Sequence, residues 1–178
     1  MAVKKKSPRK RLVPTSVSPR ELLRELPGSK LVVHEPGSII FKEGSKATDC
    51  FVITQGKVRI LKKTRKKGEE IALGLVKPGE FLGEMAMLSG EPRSASAVAI
   101  THVKAIVIEH DQFVELLKEQ HPFASRLSLQ ISTLLALRCH RLLKLIARRP
   151  EVIPLAMKKA PPIDVRAVLN RVYTLWAV

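Results

Sequence analysis

The spacing of hydrophobic positions changes along the chain. Between residues 30 and 109, short apolar runs recur and are separated by turn residues, as at Pro36-Gly37 and Pro78-Gly79. Short β-type runs with regular turn signals are typical of a β-sandwich or β-barrel. The stretch "FVITQGKVRIL" indicates a hairpin with Gln55-Gly56 at its bend, and only "GEMAMLSG" has a helical pattern inside this region. The pattern therefore predicts a mainly β domain.

Helical patterns lie on both sides of the β region. In "SPRELLREL", Ser18 is a candidate N-cap and Pro19 a first helical residue, which predicts a short helix ending at Pro27-Gly28. After Glu109 the apolar spacing becomes helical, first in "DQFVELLKEQHP" and then over residues 122–148. Leucines cover more than one face of this last helix. It is therefore wedged between the β domain and another element, or it pairs with a second copy.

Charge divides the chain into three parts. Its net charge is +16, of which residues 1–20 and residues 138–178 each contribute +7. We interpret residues 1–17 as a basic disordered tail, 18–148 as one domain that includes the long helix, and 149–178 as a basic, Pro-containing tail with one short helix. Such basic tails are compatible with nucleic acid or an acidic protein as a partner, and that binding would weaken steeply with salt.

Several function classes are disfavoured. No apolar run approaches the roughly 20 residues needed to span a bilayer, and the basic N-terminus is followed by no apolar segment typical of a secretory signal. Two distant cysteines favour a reducing cytoplasm. The isolated histidines in "VVHEPG" and "ITHVKA" do not form a metal-ligand cluster. We therefore expect no enzyme activity, no metal and no cofactor.

The stretch "FLGEMAMLSGEPRSASAVA" carries the candidate chemistry. Gly83 would let the backbone approach an anion, Arg93 would supply a forked cationic donor, and Ser94 a hydroxyl. An acid beside a phosphate is repelled by it, unless Glu84 accepts a hydrogen bond from a neutral hydroxyl of the same ligand. A ribose next to a phosphate meets that requirement. The alternative is a surface ion pair between Glu84 and Arg93, which would be worth little.

This stretch resembles the phosphate-binding cassette of the cyclic nucleotide-binding domain family, found in catabolite activator proteins, kinase regulatory subunits and nucleotide-gated channels. Here the cassette reads "GEMAMLSGEPRSA", and "FKEG", "FVITQGKV" and "KPGEFLGE" support it. The resemblance covers roughly residues 20–147. It implies a mainly β fold with α-helices: a double-stranded β-helix (a jelly-roll-like β-roll) flanked by a short N-terminal helix and a long C-terminal helix.

The resemblance also implies a role for each cassette residue. Arg93 would bind the exocyclic phosphate oxygens, Glu84 the ribose 2′-hydroxyl, and Ser94 the phosphate or base edge. Backbone groups and the end of the cassette would complete the ligand-binding set, at Gly83, Met85, Ala86 and Ala95. Ser94 favours cAMP over cGMP. Candidate wall residues of the pocket are Val58, Ile60, Leu73 and Leu75.

Possible base contacts are implied on the long helix, at Arg138, Cys139 and His140, although for Arg138 and His140 a solvated helix position is the favoured interpretation. The implied function is a regulatory module that binds cAMP or cGMP and signals through this helix to a protein partner or in a homodimer. A helix-turn-helix is not expected, because the residues after Arg148 lack its pattern. The alternative is a ligand-free scaffold whose basic tails bind nucleic acid or an acidic protein.

Overall fold

The computed structural model describes residues 18–64, 66, 68–148 and 164–166. The two predicted tails, residues 1–17 and 149–178, lie outside these residues except for 164–166. The described residues form eight strands and four helices. None of the helices in this part of the chain is long and apolar enough to cross a membrane.

Two four-stranded antiparallel sheets form the β domain. The first, sheet A, has the strand order β1 (Lys30–His34), β8 (Val103–Glu109), β3 (Asp49–Gln55) and β6 (Phe81–Leu82). The second, sheet B, has the order β2 (Ile39–Phe41), β7 (Ser96–Ala99), β4 (Val58–Lys63) and β5 (Glu70–Val76). Consecutive strands lie in opposite sheets except for β4 and β5, which form a hairpin. This is the predicted jelly-roll-like β-roll.

The predicted hairpin at Gln55-Gly56 is wrong. Strand β3 belongs to sheet A and β4 to sheet B, so this turn carries the chain from one sheet to the other. Gly56 has a φ of 89°, and a Cβ at this position would overlap the backbone oxygen of His102. The glycine is therefore required by a positive φ and by the close approach of a neighbouring loop.

The four helices confirm the predicted pattern. Helix α1 (Pro19–Glu25) begins after Ser18, whose side chain accepts a hydrogen bond from the Glu21 amide. Helix α2 (Glu84–Ser89) is the short helix inside the β region. Helix α3 (His110–Lys118) follows β8 directly, and helix α4 (Pro122–Ala147) has Pro122 in its first turn.

The alternation of side chains in sheet A builds two cores. Phe51 and Ile53 point between the sheets and pack with apolar residues of sheet B. Cys50 and Val52 point the other way, against α1, α3 and the first half of α4. The helices and the C-cap residue of α1 contribute large buried side chains to this second core, namely Leu22, Leu26, Phe113, Phe123, Leu127 and Ile131. Full burial of such a side chain contributes about 1.5–3 kcal/mol, so α4 is anchored mainly through its first half.

The second half of α4 is different. Its side chains Leu142, Leu143 and Leu145 are 58%, 59% and 59% exposed. The first half of the helix packs against the β domain, as one of the two predicted arrangements requires. The second half presents largely exposed leucines, and its pairing with a second copy stays a prediction.

Candidate ligand-binding site

The predicted cassette lies where β6 ends and α2 begins. Gly83 is the N-cap of α2, with a φ of 81°, and Gly90 ends the helix with a φ of 69°. A Cβ at Gly83 would overlap Arg93 Nη1 and lie 3.3 Å from Phe41 Cε1. Only glycine combines this backbone conformation with this close approach. The cassette backbone therefore rests directly against the arginine side chain.

Arg93 is almost fully buried, with 3% of its side chain exposed. Its Nη1 donates hydrogen bonds to the carbonyl oxygens of Asp49, at 2.9 Å, and of Gly83, at 2.8 Å. Its Nη2 donates to the Asp49 carboxylate. These contacts neutralise the charge and fix the end of the guanidinium. The Nε of Arg93 is also buried, but it has no hydrogen-bond partner among the described residues.

An aromatic pair lies beside the same guanidinium. Its central carbon is 4.3 Å from the centre of the Phe41 ring and 5.9 Å from that of Phe51. The two ring centres are 6.0 Å apart and the rings are tilted by 33°. Both distances from the guanidinium lie within the range of a cation–π interaction.

Glu84, the first residue of α2, is also buried, with 2% of its side chain exposed. Its carboxylate accepts a hydrogen bond from Nη1 of Arg138 on α4. The Nη2 of Arg138 donates to the backbone oxygen of Phe81 at 2.7 Å. The surface ion pair between Glu84 and Arg93 is therefore not formed, because each has its own partner and both are buried. The Glu84–Arg138 contact joins the cassette to the long helix.

The charge around this site also affects a buried thiol. Burial raises the pKa of Cys50, and the negative charges of Glu84 and Asp49 raise it further.

On the loop side of the cassette, Lys62 Nζ donates to Glu43 at 2.8 Å and to the Ser94 backbone oxygen at 2.7 Å. The hydrogen bond from Lys62 lowers the pKa of Glu43. Lys62 and Glu43 thereby hold the residue that follows Arg93.

A cavity of about 360 Å³ opens above these side chains. Its lining is mostly apolar, with the cassette residues Glu84, Arg93 and Ser94 among its polar groups. Helix α4 closes one side with Leu134, Arg138, Arg141, Leu142 and Leu145. A cavity with apolar walls and a few convergent polar groups is typical of a small-molecule site.

The structure brings the predicted cassette residues together around this cavity: Gly83, Glu84, Met85, Ala86, Arg93, Ser94 and Ala95 all line it. Of the predicted wall residues, Ile60, Leu73 and Leu75 line it too. Val58 does not, because it lies fully buried between the two sheets at the start of β4.

The predicted base contacts separate. Arg138 lines the cavity, whereas Cys139 and His140 do not and are exposed. Successive residues of a helix point in directions about 100° apart at 3.6 residues per turn, so three in a row cannot share one cavity wall. For Cys139 and His140 the structure favours the alternative of solvated helix positions.

Three residues of the site were not predicted from the sequence, namely Phe41, Asp49 and Arg141. Phe41 and Asp49 contact Arg93 from other strands, and Arg141 lies one turn after Arg138 on the same helix. Only Arg141 had a sequence signal, since a spacing of three places it on the same helix face. Within the described residues, no group of three His, Cys, Asp or Glu side chains could hold a metal ion.

These features define a class of protein: a jelly-roll domain with an open cavity of small-molecule size, a buried arginine in its lining and a long helix along its side. The family model for the cyclic nucleotide-binding domain matches residues 31–120, which is half of the chain. The chain therefore belongs to the cyclic nucleotide-binding domain family.

Two relatives show the extent of the similarity. A cyclic AMP receptor protein from Thermus thermophilus is 31% identical over 117 residues, which cover 66% of this chain and 47% of that protein. A cAMP-dependent protein kinase regulatory subunit from Pyricularia oryzae is 32% identical over 93 residues, which cover 52% of this chain and 23% of that protein. The chain thus spans about half or less of the length of these relatives.

Solved structures show the same fold. The catabolite activator protein of Thermus thermophilus superposes with a TM-score of 0.59 and 29% identity, covering 76% of this chain and 60% of that one. A cyclic nucleotide-binding domain from Methylobacillus flagellatus superposes with a TM-score of 0.60 and 23% identity, covering 76% of this chain and 70% of that one. The second likeness concerns the fold alone.

Proposed function

We propose that this protein is a regulatory module that binds cAMP in preference to cGMP and has no catalytic activity of its own. The observation that carries the proposal is the Nε–H of Arg93, a buried charged donor without a partner among the described residues. A buried cationic donor left unpaired costs free energy, and the cyclic phosphate would satisfy it. The relatives named for cyclic AMP support the choice of nucleotide.

The remaining groups fit the other parts of such a ligand. The Glu84 carboxylate accepts a hydrogen bond from the ribose 2′-hydroxyl, and backbone groups of Gly83, Met85 and Ala86 surround the phosphate. Ser94 reaches the phosphate or the base edge. The aliphatic walls bury the purine. Arg138 is already hydrogen-bonded to the Glu84 carboxylate and to the Phe81 backbone oxygen. It therefore acts on the ligand indirectly, through the Glu84 carboxylate, which contacts both Arg138 and the ribose. Cys139 and His140 take no part in binding.

The test is calorimetric titration of the protein with cAMP and then cGMP, beside Arg93→Lys and Arg93→Ala. A hydrogen bond to a charged group is worth about 1.5–3 kcal/mol, so we expect at least a tenfold loss of affinity in both variants. Arg126→Ala is the matched control, because Arg126 forms an ion pair with Glu21 and lies near Phe123 but does not line the cavity. It should bind as the wild type does.

The outcomes separate the two functions considered for this chain. Binding that is lost only in the Arg93 variants supports the cassette, and tighter binding of cGMP contradicts the nucleotide preference. If folded wild-type protein binds neither nucleotide, the proposal fails. The alternative, a scaffold whose basic ends bind nucleic acid or an acidic protein, would then be favoured. Salt-dependent binding to nucleic acid would test it.

We further propose that α4 carries the signal to a second copy of the chain in the cytoplasm. The Glu84–Arg138 contact joins the site to α4, and the second half of this helix exposes Leu142, Leu143 and Leu145. Because Leu143 does not line the cavity, Leu143→Glu should weaken self-association while the cavity still binds cAMP. Light scattering with and without cAMP measures the molar mass of the wild type and of the variant in solution. A wild-type protein that is monomeric in both conditions contradicts the dimer.

A further inference from the structure

The guanidinium of Arg93 is confined on its edge and on its face. Along the edge, Nη1 is held by two carbonyl oxygens and Nη2 by the Asp49 carboxylate. On the face, the ring centre of Phe41 lies 4.3 Å from the central carbon. The Cβ-free Gly83 lies directly beside Nη1. Of the three guanidinium nitrogens, Nε alone has no hydrogen-bond partner among the described residues, and the direction of its N–H depends on the orientation of the guanidinium plane.

Phe41 is well placed to fix that plane. It is the last residue of β2, and its backbone is paired with Ala97 of β7, four residues after Arg93. Its ring also contacts Phe51, which is 7% exposed and packed in the core between the sheets. The ring is thus held by the sheet on one side and by a buried aromatic residue on the other.

An aromatic ring has a further property that the site requires. It attracts the cation through its face but offers no hydrogen-bond acceptor in the plane of the guanidinium. A carboxylate or amide at position 41 would compete with the ligand for Nε–H. Phe41 therefore restrains the arginine and leaves the Nε donor for an anion.

We infer that Phe41 is a positioning residue for the anionic group of the ligand, acting through the guanidinium of Arg93. This inference rests on the proposed function, because it concerns how the same cavity holds the phosphate. It assigns affinity to a residue outside the cassette, on a strand more than forty positions earlier in the chain. Phe41 lines the cavity, so an effect through Arg93 has to be distinguished from direct contact with the ligand.

The experiment is calorimetric titration with cAMP of the wild type, Phe41→Leu and Phe41→Tyr. Leucine keeps an apolar side chain but removes the ring, and tyrosine keeps the ring. We expect Phe41→Leu to bind about three- to thirtyfold more weakly, which corresponds to the range of a cation–π interaction. Phe41→Tyr should bind within about threefold of the wild type by the same scale. Thermal melting verifies that each variant is folded.

A second pair of variants separates the two explanations. In an Arg93→Gln background the side chain is polar, neutral and shorter than arginine, so the ring has no cation to hold. If Phe41 acts through the guanidinium, adding Phe41→Leu changes the affinity for cAMP by less than about twofold there. An equal loss in both backgrounds would mean direct contact with the ligand and would overturn the inference.

A spectroscopic measurement covers the case in which the Arg93→Gln proteins bind too weakly to titrate. The Nε–H resonance of Arg93, assigned by its loss in Arg93→Gln, should be shifted by the Phe41 ring current and should move on addition of cAMP. In Phe41→Leu that ring-current shift should disappear. A resonance unchanged by Phe41→Leu would overturn the inference, whereas absence of cAMP binding by the wild type would instead refute the proposed function.

Discussion

The close approach of Gly83 to Arg93 allows the site geometry to be tested by adding one methyl group. In Gly83→Ala the new Cβ would overlap Arg93 Nη1 and lie 3.3 Å from Phe41 Cε1, at a φ of 81°. The left-handed backbone alone costs a residue with a Cβ about 1–2 kcal/mol. The overlap adds a second cost, because the arginine has to move.

The size of the second cost follows from the bonds that Arg93 would lose. Its Nη1 donates to two carbonyl oxygens at 2.9 and 2.8 Å, and hydrogen bonds of charged groups are worth about 1.5–3 kcal/mol. Adding one such loss to the backbone cost gives about 2.5–5 kcal/mol of destabilisation. At about 2–4 °C per kcal/mol for a domain of this size, Tm should fall by about 5–20 °C.

Gly37→Ala is the matched control, because Gly37 has a φ of 84° and its surroundings leave open space, with nothing within 4 Å of the point that a Cβ would occupy. It should show the backbone cost alone, about 1–2 kcal/mol. Differential scanning calorimetry measures Tm, and titration with cAMP measures affinity. We expect Gly83→Ala to melt below Gly37→Ala and to bind at least tenfold more weakly. If the two variants melt together and bind equally well, the packing of Gly83 against Arg93 is wrong.

Two further predictions concern titratable side chains that do not line the cavity. Burial raises the pKa of Cys50 while Cys139 is exposed, so a thiol reagent should label one cysteine in the native protein and both in denaturant. Labelling of native Cys139→Ser would contradict this. Burial lowers the pKa of His34 from 6.5, so the folded state favours the neutral ring. The favourable contribution of the neutral His34 ring to the free energy of unfolding is complete above pH 6.5 and is lost as the pH falls towards the lowered pKa. We therefore expect Tm to fall less steeply with decreasing pH in His34→Phe than in the wild type. Parallel curves of Tm against pH would refute this.

The cassette could be predicted from the sequence because its residues are contiguous. Gly83 and Arg93 are ten positions apart, and the short helix between them has a recognisable pattern. Phe41 and Asp49 could not be found in the same way. They reach Arg93 only because β2 pairs with β7 and β3 lies beside β6, and their own strands carry no signal that they contact a cation.

The errors in the prediction have equally specific causes. Turn residues such as Gln55-Gly56 show that the chain bends, but they do not show which sheet the next strand joins. The apolar pattern of α4 predicts a helix correctly, but it does not fix the rotation of that helix against the β domain. A rotation by one residue separates Arg138, which lines the cavity, from Cys139, which does not.

Under the proposed function, the Glu84 carboxylate that holds Arg138 of α4 is also the group that would accept a hydrogen bond from the ribose of the nucleotide. A ligand hydroxyl that takes up this carboxylate acts on the same group that attaches the helix. Thermodynamic reciprocity then applies: whatever factor the nucleotide contributes to the attachment of α4, attachment of α4 contributes to nucleotide affinity. A molecule that binds the far end of the helix would therefore change the nucleotide concentration at which the site is half-saturated, without contacting the cavity.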